Sequence, residues 1–121
     1  MPYEYEVETR VDYLYAKLIG RETLVDNKQS ARDLVAICKE RELRMIIVDL
    51  RWLEGGPTMI ENYEFAQFLP DVLAPQIKRC ATVFREENRE AEEFLETAAM
   101  NRGVVFRAFS SIESAEAWLR S

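Results

Sequence analysis

MIIVDLRWLEGGP, residues 45–57, is an apolar run that reaches an aspartate, Asp49, and closes in a Gly-Gly-Pro turn. A run of this kind bounded by turn residues reads as a central buried strand, Met45 to Leu50, whose exit loop is where open α/β sheets place ligand or regulatory sites. Directly behind the turn, Thr58 and Glu61 have the spacing of a capping box, so a helix begins there and runs until Pro70 ends or kinks it.

Outward from this stretch, the hydrophobic period alternates between strand and helix. Tyr3, Tyr5 and Val7 alternate with Glu4, Glu6 and Glu8, and Val11 to Ile19 is rich in aromatic and branched residues, which predicts a tight hairpin. Its tyrosines, Tyr3, Tyr5, Tyr13 and Tyr15, are expected to neighbour one another on one face. Asp26 and Gln29 form a capping box for a helix over about residues 27–41, with Ala31, Leu34, Val35 and Cys38 on one face. Cys80 to Arg85 reads as a fourth strand, and Ala91, Phe94, Leu95, Ala98 and Ala99 mark a third helix, closed by Asn101-Arg102-Gly103 with glycine in the left-handed cap position. Val104 to Phe109 is a fifth strand, and Ser110 with Glu113 opens a last helix that buries Ile112, Ala115, Trp118 and Leu119. The order β-β-α-β-α-β-α-β-α predicts a single sheet of about five strands, an initial hairpin followed by mainly parallel pairing, covered by four helices.

Composition narrows the partners. The 121 residues carry 16 basic against 22 acidic side chains and no histidine, a net charge of -6 that argues against nucleic acid and anionic membrane surfaces. Cys38 and Cys80 lie in apolar segments without metal-ligand spacing, so reduced core cysteines, no metal and no cofactor are expected. No segment has the length of a membrane span or the form of a signal peptide, and a single cytoplasmic domain over residues 1–121 is the expectation.

The spacing of IIVDLR (46–51), the GGPT loop, the helix ENYEFAQFLP (61–70), the NRG turn before VVFRAF and the closing SIESAEAWL (111–119) resembles the SpoIIAA-like family. That family is related to the STAS domains of sulfate transporters and anti-sigma-factor antagonists and shares its fold with lipid-carrying CRAL-TRIO domains. The resemblance implies a non-enzymatic regulatory or protein-interaction module. In STAS regulators a phosphoacceptor serine within an Asp-Ser-Ser/Thr-Gly pattern opens the helix after the third strand, at the position of Gly56-Pro57-Thr58. Here the serine is absent and Thr58 offers the hydroxyl, although its capping box with Glu61 suffices to explain a threonine and the glutamate would repel a phosphate.

Two further groups are candidates. Asp49 and Arg51 with Gly55 and Gly56 suit an anion-binding loop, or an aspartate that holds the loop by hydrogen bonds to the glycine backbone. No nucleophile motif or partner of shifted pKa accompanies Asp49, so catalysis is the least supported reading. The helix after the loop carries more apolar surface than one face can bury. Met59, Tyr63, Ala66, Leu69 and Leu73 share the inward stripe, whereas Phe65, Phe68 and Val72 lie toward the opposite side and Trp52, in the preceding loop, extends them. Such a patch serves a homodimer, a protein partner or the mouth of a pocket for a hydrophobic, lipid-like small molecule; if Pro70 breaks the helix, it is buried under residues 71–78 instead. The acidic stretch Glu86, Glu87, Glu90, Glu92, Glu93 and Glu96 reads as the solvated face of helix three.

Overall fold

A computed structural model describes residues 3–121. Its elements are β1 (Glu4–Arg10), β2 (Tyr13–Arg21), α1 (Leu24–Glu40), β3 (Met45–Glu54), α2 (Met59–Leu73), β4 (Arg79–Val83), α3 (Arg89–Met100), β5 (Phe106–Phe109) and α4 (Ile112–Leu119). The strands form one sheet in sequential order, with β1 antiparallel to β2 and every later pair parallel. The succession of elements and the hairpin-then-parallel pairing are those that the hydrophobic pattern predicts, whereas the order of strands across the sheet is not read from it.

Sequential order decides where the helices go. Each crossover advances the same way along the sheet, and a right-handed connection then returns every helix on the same face. Accordingly Leu34 and Cys38 of α1, Ala66, Leu69 and Leu73 of α2, and Leu95, Ala98 and Ala99 of α3 join one core with Leu14, Leu18, Ile46 and Phe106 of the sheet. Only α4, which follows the last strand, turns under the other face, where Ala115 and Leu119 pack on Tyr13, Ile47, Ala81 and Val83. It contacts β3, β4 and β5, so β1 and most of β2 lack a helix on that side.

Local chemistry places the boundaries, in several cases away from the sequence reading. Helix α1 starts earlier than the Asp26–Gln29 box implies: Thr23 is the N-cap, its side chain accepting from the Asp26 N–H at 3.1 Å. Helix α4 is capped by Ser111, which accepts from Ser114 N–H, and not by the Ser110–Glu113 pair. Pro70 does not end α2; the helix runs on to Leu73, whose burial with Leu69 offsets the missing proline N–H. Strand β4 stops at Val83, two residues short of Arg85, and β5 begins at Phe106 because the Val104 N–H closes α3 on Ala99 O. Gly103 takes the predicted left-handed conformation, with φ of 82°. Cys38 and Cys80 are buried free thiols in the larger core, and burial pushes them up to about 11 and about 12.

The hairpin tyrosines do not share a face. Register pairs Tyr5 with Leu18 but Glu8 with Tyr15 and Arg10 with Tyr13, so Tyr3 and Tyr5 turn toward the three helices and Tyr13 and Tyr15 toward α4 and the bare side. A two-residue side-chain period permits no other outcome once the register is set.

Candidate functional site

Strand β3 runs four residues beyond Leu50, and this extension rearranges the predicted site. Lys17 pairs with Asp49 and Ile19 with Trp52, so three steps along β3 match two along β2 and the strand bulges at Leu50-Arg51. The extra residue brings Arg51 and Trp52 to the same side as Asp49. Trp52 is thus a strand residue, 45% exposed, lying under Lys17 Nζ at 4.1 Å and the Arg51 guanidinium at 4.9 Å. It belongs to the bare side of the sheet rather than to the loop before α2.

Asp49 sits mid-strand and is fully buried. Its Oδ1 accepts from Arg51 Nε at 2.9 Å and from the Arg51 backbone N–H at 3.2 Å, and its Oδ2 accepts from the other arm of the guanidinium at 2.8 Å and from Tyr15 OH at 2.6 Å. Burial raises the carboxyl, but the bonds from Arg51 and Tyr15 outweigh it and hold Asp49 below the usual range. Burial and the same bond push Tyr15 up to about 12. Asp49 and Arg51 therefore satisfy each other, and the aspartate anchors the bulge. The expected bonds from the Gly55-Gly56 backbone to Asp49 are not formed, because the strand continues to Glu54 and carries the glycines away.

Those glycines lie at the carboxyl edge of the sheet. Gly55 has φ of 76°, a left-handed turn that a side chain disfavours, and the Asn88 side chain lies against Gly56. Thr58 then caps α2 as predicted: Glu61 N–H donates to Thr58 Oγ1 at 3.1 Å and Thr58 N–H donates to Glu61 Oε1 at 2.9 Å.

Helix α2 buries Asn62, Ala66, Leu69 and Leu73, so Asn62 leads the inward stripe in place of Met59 and Tyr63, and its amide donates to Ala91 O at 2.9 Å. Met59, Ile60 and Tyr63 are the exposed apolar residues of the helix, with Ile60 at 73%. Phe65, Phe68 and Val72 are half-buried. Phe65 and Phe68 pack ring on ring at 5.9 Å, and Lys28 and Arg32 of α1 cover Phe68. The surplus apolar surface is therefore displaced by one turn, toward the loop. Period alone places residues on a wheel, but a buried asparagine rotates the wheel in a way that hydrophobicity cannot forecast.

Between the three helices and the sheet lies a cavity of about 70 Å³, walled largely by apolar residues that include Leu34, Ile46, Phe65, Leu69 and Phe106. Its polar lining includes Glu22, Thr82 and Glu92. Glu92 is 3% exposed and not on the solvated face of α3; burial, with the neighbouring Glu22 carboxylate, pushes it up to about 8. Glu92 Oε2 and Thr82 Oγ1 are buried without a hydrogen-bond partner. Glu22 is also raised by burial, partly countered by the amide of Asn27, which donates to it at 2.8 Å. The sequence reading missed Glu92 and Thr82, since a glutamate among six others carries no mark of burial; its place one turn before Leu95 and Ala99, on the inward stripe, was the available signal.

No helix among the described residues is long and apolar enough to cross a membrane. No family model and no curated protein matches the sequence. Solved structures match it along its length. An anti-sigma factor antagonist from Mycobacterium paratuberculosis superposes with a TM-score of 0.64 at 10% identity, over 98% of this chain and 95% of that one. An uncharacterised protein with a SpoIIAA-like fold from Shewanella loihica gives 0.60 at 21% identity, over 98% and 94%. The anti-sigma factor antagonist SpoIIAA in its unphosphorylated form gives 0.58 at 12% identity, over 98% and 99%. The chain thus has the α/β architecture of SpoIIAA-like proteins. In this chain the position after the third strand is a capped helix start flanked by exposed apolar side chains.

Proposed function

We propose that this chain is a non-enzymatic, STAS-like regulatory module that binds a protein partner through the β3–α2 loop and the first turns of α2. The observation that carries this reading is the exposure of Met59, Ile60 and Tyr63 beside the Gly55-Gly56 turn. Three large apolar side chains on one helix start form a compact centre of the kind that anchors an interface. The likeness of fold to two anti-sigma factor antagonists supports a protein as the partner. Exposed Glu54 and Glu64, next to the turn and to Tyr63, suit a partner whose apolar centre is rimmed by basic residues. Thr58 serves as the helix cap, and docking rests on apolar contact.

Affinity capture with the parent chain and with Ile60→Asp tests this. The variant is expected to keep the parent's circular dichroism and melting temperature and to lose the captured protein by at least tenfold, and capture from the parent weakens as salt rises. Equal capture by both chains overturns the proposal.

A further inference from the structure

We propose that the cavity between the sheet and α1–α3 is a binding site for a small primary alkylamine, whose ammonium head is held by Glu92 Oε2, Thr82 Oγ1 and Glu22 while its short hydrocarbon chain fills the apolar walls. This goes beyond the docking surface, which uses other residues on the outside of α2.

Glu92 Oε2 and Thr82 Oγ1 are buried without a protein partner. Buried polar groups in folded proteins are almost always hydrogen-bonded, and an unpaired one carries its full desolvation cost. Here two of them, on α3 and β4, line one cavity. Glu92 is 3% and Thr82 5% exposed. The cavity therefore presents two buried polar atoms that no protein group answers.

The head group follows from charge. Among the described residues the charged group acting on Glu92 is another carboxylate, Glu22, so the site concentrates negative character with no cation placed against Glu92. Glu22 itself is acted on by Glu61 and by Arg85, whose buried Nε lies 3.0 Å from Glu87 Oε1 without forming a hydrogen bond, so this cation stands on the Glu22 side and not against Glu92. An anionic head meets two acids. A hydroxyl head completes the hydrogen bonds but does nothing to stabilise the ionised form of either carboxyl. An ammonium carries three donors and one positive charge, which matches two carboxylates and a hydroxyl oxygen.

The tail follows from the walls and the size. Leu34, Ile46, Leu69 and Phe106 give water too few partners, whereas they suit hydrocarbon. The volume of about 70 Å³ is roughly half that of an engineered apolar cavity that admits benzene. An ammonium carrying about two carbons is the fit on that scale. Half-buried Ala31, Val35 and Phe65 line the same cavity and form its outer wall at the α1–α2 seam, where a longer tail would emerge.

The test is titration of the folded protein with ethylamine at pH 8.5, followed by calorimetry and by NMR shifts of Leu34, Leu95 and Phe106, with ethanol and acetate as controls of matching size. The expected result is saturable binding in the low-millimolar range, at least tenfold weaker for either control and at least tenfold weaker in Glu92→Gln. Thr82→Val is expected to weaken binding severalfold while leaving the fold intact, and it keeps the test open should the glutamine variant fold poorly. Equal binding of amine and alcohol, binding indifferent to both substitutions, or no saturable shift overturns the assignment. Equal partner capture by the parent and Ile60→Asp bears on the outer surface alone, so the two proposals fail separately.

Discussion

Two buried carboxylates solve the same problem in opposite ways, and they give stability opposite pH dependences. Asp49 is surrounded by donors and lies below its ordinary value, so its contribution is present above the unfolded range near 4 and is lost as pH falls. Arg51 is one-third exposed, so solvent screens part of the pair's attraction. Glu92 is raised to about 8 from 4.5. Its folded form holds a proton that the unfolded chain has released, so stability falls as pH rises from the unfolded value through the folded one and levels off above it. Glu22, also raised, adds to this decline in its lower part. The chain has no histidine to blur the neutral range. Glu92→Gln is therefore expected to flatten the neutral limb and to exceed the parent at pH 9 by on the order of 2 kcal/mol. Urea denaturation at pH 5 and pH 9 measures this; a parent whose stability is the same at both contradicts it. Neither behaviour is readable from residue type, because both depend on which partners the fold brings to the carboxylate.

At the scale of the element, much of what is local was legible, although the caps of α1 and α4 fall on Thr23 and Ser111 and not on the Asp26–Gln29 and Ser110–Glu113 pairs. The Thr58–Glu61 box, the Gly103 cap and the central strand are set by residues within a turn of one another, and the structure has them where the sequence puts them. What was not legible depends on neighbours far along the chain. Strand β3 extends through Trp52 because β2 offers it a partner as far as Arg21, and the bulge that turns Arg51 and Trp52 to one side is a property of that pairing. Pro70 is passed over because tertiary burial of the last turn outweighs the lost hydrogen bond. The cap itself is testable. Thr58→Ala should cost about 1 kcal/mol, whereas Thr58→Asp, which retains an acceptor at the cap and places negative charge at the positive end of the helix, should change stability little. Thermal melting of both variants checks it. A loss in Thr58→Asp equal to that in Thr58→Ala would show that the hydroxyl does something other than accept from Glu61 N–H.

At the scale of the molecule, sequential strand order has a cost as well as a use. Three helices on one face give α1–α3 a shared core and the cavity within it, but they leave a single short helix for the other face, and the β1–β2 side of that face is bare. Strand count and helix count followed from periodicity, whereas this lopsided covering follows from the order of strands, which local pattern does not encode. The uncovered region ends in β1, an edge strand with unpaired backbone groups along one side. Glu4, Glu6 and Glu8 are exposed on the bare side of that strand, opposite Ile19, Lys17 and Tyr15. Arg10 pairs with Glu8 at 3.3 Å, and the row of like charges repels the same strand of a second copy, so it acts against edge-to-edge pairing. Replacing all three with threonine keeps strand propensity and removes the repulsion. The triple variant should fold with the parent's stability to within about 1 kcal/mol, yet its sedimentation coefficient should climb with concentration more steeply than the parent's, and the climb should reverse when one glutamate, Glu6, is restored. If the variant sediments as the parent does at every concentration, the acidic edge has no part in keeping copies apart and the bare face needs another explanation.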